Sequence, residues 1–277
     1  MIAKTPTSHR PHLHRIASPE PASGTAKAAG KSTLTIGTYN ILFKTTLKQN
    51  REDLARLIKQ TGVINLQEFT PEHNKLFAWL KEQGWGHYHA PHTGEPVIWD
   101  KRKYELVAAG TKKLNDAVDN LGPTHRHYTA HRATWVRLRD KRTGKVFTTV
   151  SVHTIAHNRG PKKTPRTDAI ERHQFRELAE LTAKLKKHGP VIIGGDLNST
   201  PRHAATWPKK ILRSAHLRSN WSELGMKGVG EGTHGRRFID HFLTLTTMRD
   251  RLKLLKHRIV YGLHSDHNAV IGKYRLK

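Results

Sequence analysis

Several side chains with chemistry to offer stand at the ends of apolar runs: Asn40 after TIGTY, Glu68 after VINLQ, His153 after TTVSV, Asp196 and Asn198 in and after VIIGG, Asp240 after RFI, and Asp266 with His267 before NAVIGKY. An apolar run bounded in this way reads as a buried strand, and a strand end delivers its side chain to the edge of a sheet. Each residue alone has an ordinary reading, because Asn and Asp favour turns for their local hydrogen bonds. As a set they carry hard oxygen donors, suited to a divalent cation such as Mg²⁺ or Mn²⁺, and histidines that can take a proton near neutral pH when a carboxylate backs them. Developing charge on a phosphoryl group needs a metal, a His or an Arg beside it. The chemistry this set suits is metal-assisted hydrolysis of a phosphodiester.

The elements that must position these residues can be read along the chain. Thr33–Tyr39 and Val63–Gln67 are strands, and between them 47–60 has Leu47, Leu54, Leu57 and Ile58 on one helical face. Thr70-Pro71-Glu72 opens a second helix, with Thr as N-cap and Pro in the first turn, and Gly84 ends it. Strands follow at 85–90, 96–100, 104–109, 133–139 and 146–153, the last two joined through Thr143-Gly144-Lys145. A helix is expected over 167–187. Then come a strand over 190–194 ending in a Gly-Gly turn, and strands at 238–245, 256–261 and 268–275. This order mixes parallel and antiparallel pairing, which predicts an α/β (α+β) architecture of two mixed sheets flanked by helices.

Composition narrows the function. The 277 residues include 49 Lys+Arg against 22 Asp+Glu, a formal charge of +27, together with 21 His and no Cys. Without Cys there is no disulfide scaffold, thiolate metal site or cysteine nucleophile. Residues 1–32, rich in Pro, Ser, Ala and Gly, show no hydrophobic period and read as a disordered basic arm. The arm has five basic residues and one acid, so +23 belongs to residues 33–277, the expected folded domain. Such a charge points to a polyanion partner, DNA, RNA or an anionic membrane surface, with nucleic acid, and DNA within it, the partner expected here. No stretch approaches the roughly 20 apolar residues of a membrane span, and the N-terminus lacks the apolar segment of a secretory signal, so a cytoplasmic monomer is expected. GxxxxGK[ST], HExxH and GxSxG are absent, so the ATPase, zincin and serine-hydrolase readings lack their motifs.

The strings TYNILF, LQEF, SVHT, GGDLNSTP, FIDHFL and HSDHNAV occur in the order of the endonuclease/exonuclease/phosphatase superfamily, and residues 33–277 resemble its deoxyribonuclease I-like enzymes. GDLNSTP and SDHNAV are the most specific of these strings. The resemblance implies a four-layered α/β/β/α sandwich with the active site at one edge of two sheets. It also implies Glu68 as principal metal ligand with Asn40 beside it, Asp266 supporting the metal, Asp196 and Asn198 orienting water and phosphate, and His267 held by Asp240. His153 matches the second His of the deoxyribonuclease-like branch, a candidate general acid for the leaving oxygen, and favours a nuclease, or a His-bearing phosphodiesterase, over the abasic-site repair branch. The resemblance leaves open which His is base and which is acid.

Arg132, at the start of a strand, is a candidate phosphate contact, with a plain surface Arg as its other reading. Glu95 lies where some members keep a carboxylate for the second His. Its local spacing does not match, and it stays outside the catalytic set. The acid-free loop 156–166 carries Arg159, Lys162, Lys163 and Arg166 directly after His153 and is expected to grip phosphates. Further basic residues are Arg236 and Arg237, and the group Arg251, Lys253, Lys256 and Arg258. Two other readings remain open. A lipid or inositol-phosphate phosphodiesterase of the superfamily would share the site and show an apolar membrane wedge, which the sequence lacks. A catalytically dead nucleic-acid-binding protein would have lost a catalytic residue, and the main motifs are intact.

Overall fold

The computed structural model describes residues 32–122, 125–156, 164–203 and 207–277, apart from the side chains of 120–127. Most of the basic arm and three loop residues, Arg159, Lys162 and Lys163, lie outside the described residues.

In chain order the elements are β1 (Ser32–Asn40), α1 (Leu47–Ile58), β2 (Val63–Gln67), a 3₁₀ turn at Pro71–Asn74 leading into α2 (Lys75–Glu82), β3 (Trp85–Tyr88), β4 (Val97–Asp100), β5 (Tyr104–Lys113), β6 (Val118–Gly122), β7 (His125–Tyr128), β8 (Arg132–Asp140), β9 (Val146–His153), α3 (Pro165–Leu185), β10 (Val191–Asp196), α4 (Lys209–Ser214), β11 (Leu217–Ser219), α5 (Asn220–Leu224), β12 (Asp240–Leu245), β13 (Leu252–Val260) and β14 (Ala269–Leu276). One six-stranded sheet runs β13-β14-β1-β2-β4-β3 and the other β11-β12-β10-β9-β8-β5. Each is mixed: β1 and β2 are parallel, as are β9 and β10, whereas β12 and β14 run antiparallel to their neighbours.

Strand alternation builds three apolar layers. In β10, Ile192 faces the other sheet while Val191 and Ile193 face α3. The layer between the sheets holds Leu34, Ile36, Val136, Phe147, Phe242 and Tyr274. On the first sheet's outer face, Leu54 and Leu57 of α1 and Leu76, Phe77 and Leu80 of α2 cover Ile64 and Leu66. Phe175, Leu178 and Leu185 of α3 and Leu212 of α4 cover the second sheet. The order is therefore α/β/β/α, the architecture expected from the sequence.

Gly194 and Gly195 lie inside β10 instead of forming a turn, which corrects the expected strand end at 194. A Cβ at Gly195 would collide with the carbonyl oxygen of Val152, and one at Gly194 would collide with Asn65 Nδ2 and the Phe242 ring. Only glycine allows that approach, and it lets the strand run on so that Asp196 is its last residue.

Candidate active site

Strand polarity explains why the candidate residues meet. The C-terminal ends of the parallel pairs β1/β2 and β9/β10 share one edge of the sandwich with the N-terminal ends of β12 and β14. Asn40 ends β1, Glu68 follows β2, His153 ends β9, Asp196 ends β10, Asp240 opens β12, and Asp266 and His267 precede β14. The register places Asp196 directly opposite both His153 and Asp240.

Asp196 is the hub. Its Oδ2 accepts from Asn40 Nδ2 at 3.2 Å and lies 3.5 Å from His153 Nε2 and 3.6 Å from His267 Nε2, while its Oδ1 accepts from the Asn198 backbone N–H at 2.8 Å. Asn40 Nδ2 also reaches Glu68 Oε1 at 3.0 Å. His267 Nδ1 faces Asp240 Oδ2 at 3.0 Å, and His267 Nε2 lies 4.0 Å from Asp266 Oδ1. Burial disfavours the charged ring of His267, but the Asp240, Asp196 and Asp266 carboxylates outweigh it and push its pKa up to about 10. At neutral pH this ring is an imidazolium.

His153 is held differently. Asn198 Nδ2 is 3.1 Å from His153 Nε2 and donates to the Thr154 carbonyl at 3.0 Å, which fixes the amide's orientation. His153 Nε2 thus stands between the Asn198 amide and Asp196 Oδ2, the latter 3.5 Å away. Glu68 and Asn198 both adopt left-handed backbone, with φ of 58° and 46°. For residues other than glycine such conformations cost about 1–3 kcal/mol and collect at functional sites.

The oxygen donors fit a hard divalent cation. Glu68 Oε1 accepts from Asn40 and Oε2 from the Phe43 backbone N–H at 3.1 Å, so each keeps acceptor capacity towards the cleft. Asp196, Asp240 and His267 bring potential ligand atoms within 4.8 Å of one another, as do His234, Asp266 and His267. His234 has no signal in the strand-end pattern, because it sits in the irregular segment before FIDHFL. Arg237 donates to its Nδ1, so its Nε2 carries the hydrogen that faces Asp266 Oδ2 at 3.3 Å. In this arrangement His234 orients Asp266 rather than offering a lone pair to a metal. Arg237 thus belongs to the edge of the site.

Glu95 also returns to the neighbourhood. Burial raises its pKa to about 8, against the opposing effects of the Gly94 N–H and the Arg132 charge. Arg132 opens β8 partly buried, with Glu95 as its electrostatic partner. His131 donates from Nδ1 to the His153 carbonyl at 2.8 Å, and burial, aided by His153, lowers its pKa to about 4. It buttresses His153 as a neutral ring. Arg166 is exposed in the first turn of α3.

Residues 37–267 match the Endonuclease/Exonuclease/phosphatase family. The chain belongs to that family. Its members are phosphoesterase hydrolases that generally use divalent metals. No curated protein matches this chain. Among solved structures, the chain is similar to an endonuclease/exonuclease/phosphatase from Bacteroides vulgatus, with TM-score 0.63 and 18% identity over 89% of this chain and 100% of that one. The human Nocturnin catalytic domain with bound sulfate gives TM-score 0.64 and 15% identity, covering 89% and 98%. D. rerio TDP2 complexed with a single-strand DNA product gives 0.64 and 13%, covering 88% and 99%. At these identities the likeness shows the fold.

Proposed function

We propose that this endonuclease/exonuclease/phosphatase protein is a divalent-metal-dependent nuclease that hydrolyses phosphodiester bonds of nucleic acid, DNA before RNA. The observation that carries this reading is Asp196 Oδ2 standing among Asn40, His153 and His267 on a domain of charge +23. In this reading Glu68 and Asp266, with Asn40 beside them, hold Mg²⁺ or Mn²⁺. The ion supplies Lewis acidity towards phosphoryl oxygen and eases ionisation of water. Asp196 and Asn198 orient the attacking water and the phosphate. The Asp240-backed His267 and His153 divide the proton transfers, one taking a proton from water and the other supplying one to the leaving oxygen, and the charged His267 ring stabilises charge on the phosphoryl oxygens. Arg132, Arg159, Lys162, Lys163 and Arg166 bind flanking phosphates and do no chemistry. The single-strand DNA product held by the TDP2 neighbour supports a nucleic-acid substrate.

The test is to incubate purified protein with supercoiled plasmid, linear duplex, single strands, RNA and a sugar phosphate, with Mg²⁺, Mn²⁺ or EDTA. EDTA is expected to abolish nucleic-acid cleavage and either metal to restore it. Full cleavage in EDTA sinks the metal mechanism, and hydrolysis of the sugar phosphate alone sinks the nuclease.

A further inference from the structure

Phe43 stands on the turn between β1 and α1 with 54% of its surface exposed. A single exposed aromatic is ordinary on a protein surface. Three observations set this one apart. First, its backbone N–H donates to Glu68 Oε2 at 3.1 Å, so the ring hangs from an atom one hydrogen bond away from the candidate metal carboxylate. The other exposed large apolar residues among those described, Val107, Leu224 and Tyr261, have no such tie to the site.

Second, the turn is tightly held. Leu42 N donates to Asn40 Oδ1 at 3.0 Å, Thr45 N to the Leu42 carbonyl at 2.9 Å, and Thr45 Oγ1 lies 2.7 Å from the carbonyls of both Ile41 and Leu42. Leu42 is left-handed at φ 58°, and Thr46 closes a capping box with Gln49 at the start of α1. A ring carried on fixed backbone loses little freedom when it is covered, so contact there is retained as affinity. Third, Lys44 Nζ lies over one face of the ring, 5.4 Å from its centroid, which sets a cation against this exposed aromatic at the mouth of the candidate site.

An apolar face with a neighbouring cation, next to a phosphate site, matches a nucleobase joined to its own backbone phosphate. We propose that Phe43 is a base-stacking platform: its ring covers the face of a base flanking the scissile phosphate, and Lys44 takes the adjacent phosphate. This rests on the nuclease reading and deepens it. A base offers its face only when unstacked, so the substrate presented to this subsite is single-stranded or locally opened. Stacking is tolerant of base identity, so Phe43 gives affinity and position without a sequence preference. It belongs to none of the apolar clusters, so Phe43→Ala leaves the core intact.

The test uses a short single-stranded oligonucleotide in EDTA at low salt, with 2-aminopurine placed on either side of the central linkage. The wild type is expected to quench one position. Phe43→Ala is expected to lose that quenching and bind about 5- to 150-fold more weakly by anisotropy, and Phe43→Tyr to restore both. An abasic residue at the quenched position should weaken the wild type by the same factor and leave Phe43→Ala unaffected. Equal quenching and an equal abasic penalty in wild type and Phe43→Ala overturn the platform while leaving the nuclease standing. An oligonucleotide that the wild type neither binds in EDTA nor cleaves in Mg²⁺ or Mn²⁺ overturns both.

Discussion

At the scale of single residues, His267 is set apart by the three carboxylates around it, Asp240, Asp196 and Asp266. His267→Ala is expected to lower kcat by roughly 10²–10⁴-fold with the fold retained, read from turnover and circular dichroism on the same sample. Its ionisation also bears on stability. Its folded pKa of about 10 exceeds the ordinary 6.5. The charged ring's contribution is therefore complete below pH 6.5 and is lost as pH rises through about 10. The difference in unfolding free energy between wild type and His267→Ala should shrink over that window in EDTA, and a constant difference contradicts the imidazolium.

Glu95 offers a second check. It is neutral when folded up to about pH 8 and ionises near 4.5 when unfolded. The wild type therefore loses stability between those values as the unfolded chain releases a proton that the folded chain keeps. Glu95→Gln removes this dependence, so its melting temperature should rise relative to wild type from pH 4.5 to 8.

At the scale of elements, α1 holds the loop that delivers Asp266 and His267. Asp53 is fully buried in α1 and accepts from Tyr39 Oη at 2.5 Å, from His264 N at 2.9 Å and from His264 Nδ1 at 2.8 Å. Ser265 then donates to the Asn40 carbonyl at 2.8 Å and accepts from His267 N at 3.0 Å. A helix on the outer face of the first sheet thereby sets the loop's height against β1. Asp53→Ala leaves a buried tyrosine hydroxyl and the loop N–H without their acceptor, a loss of about 1–3 kcal/mol. Denaturant unfolding should show that loss. At a denaturant-free temperature where the variant stays folded, kcat should fall while KM changes little, because Asp53 touches the loop and not the substrate.

At the scale of the whole molecule, the nucleic-acid reading makes a prediction about charge. Residues 33–277 carry +23, and duplex DNA loses about 0.9 units of log K per log salt for each phosphate neutralised. Replacing Arg159, Lys162, Lys163 and Arg166 together by Ala is expected to weaken binding across sequences and to flatten the salt slope by up to roughly 3–4 units, with kcat at saturation nearly unchanged. An unchanged slope assigns the gripping to other basic surface. Among the described residues no helix is long and apolar enough to cross a membrane.

The sequence by itself determined the strands and the residues at their ends, because alternation and turn chemistry are local. Val63–Gln67 and Val146–His153 have the same bounds in sequence and structure. The ordered motifs also carried the family and, through it, the four layers. Helix α3 begins two residues before its expected start, where Thr164 caps it and Pro165 occupies the first turn. The short elements β6, β7, β11, α4 and α5 left no trace in the sequence, since each holds at most two apolar side chains and so lacks the apolar run that marks β2. The tertiary structure alone decided which groups meet. Asp196 and Asn40 are 156 positions apart, yet they share a hydrogen bond because two parallel pairs end at one edge. Nor does local sequence show that Gly195 permits contact with Val152, that His234 orients Asp266, or that Asp53 anchors the loop of Asp266 and His267. Each of these is a contact between distant segments, set by sheet register and packing, and register is fixed only when the faces of the strands are buried together.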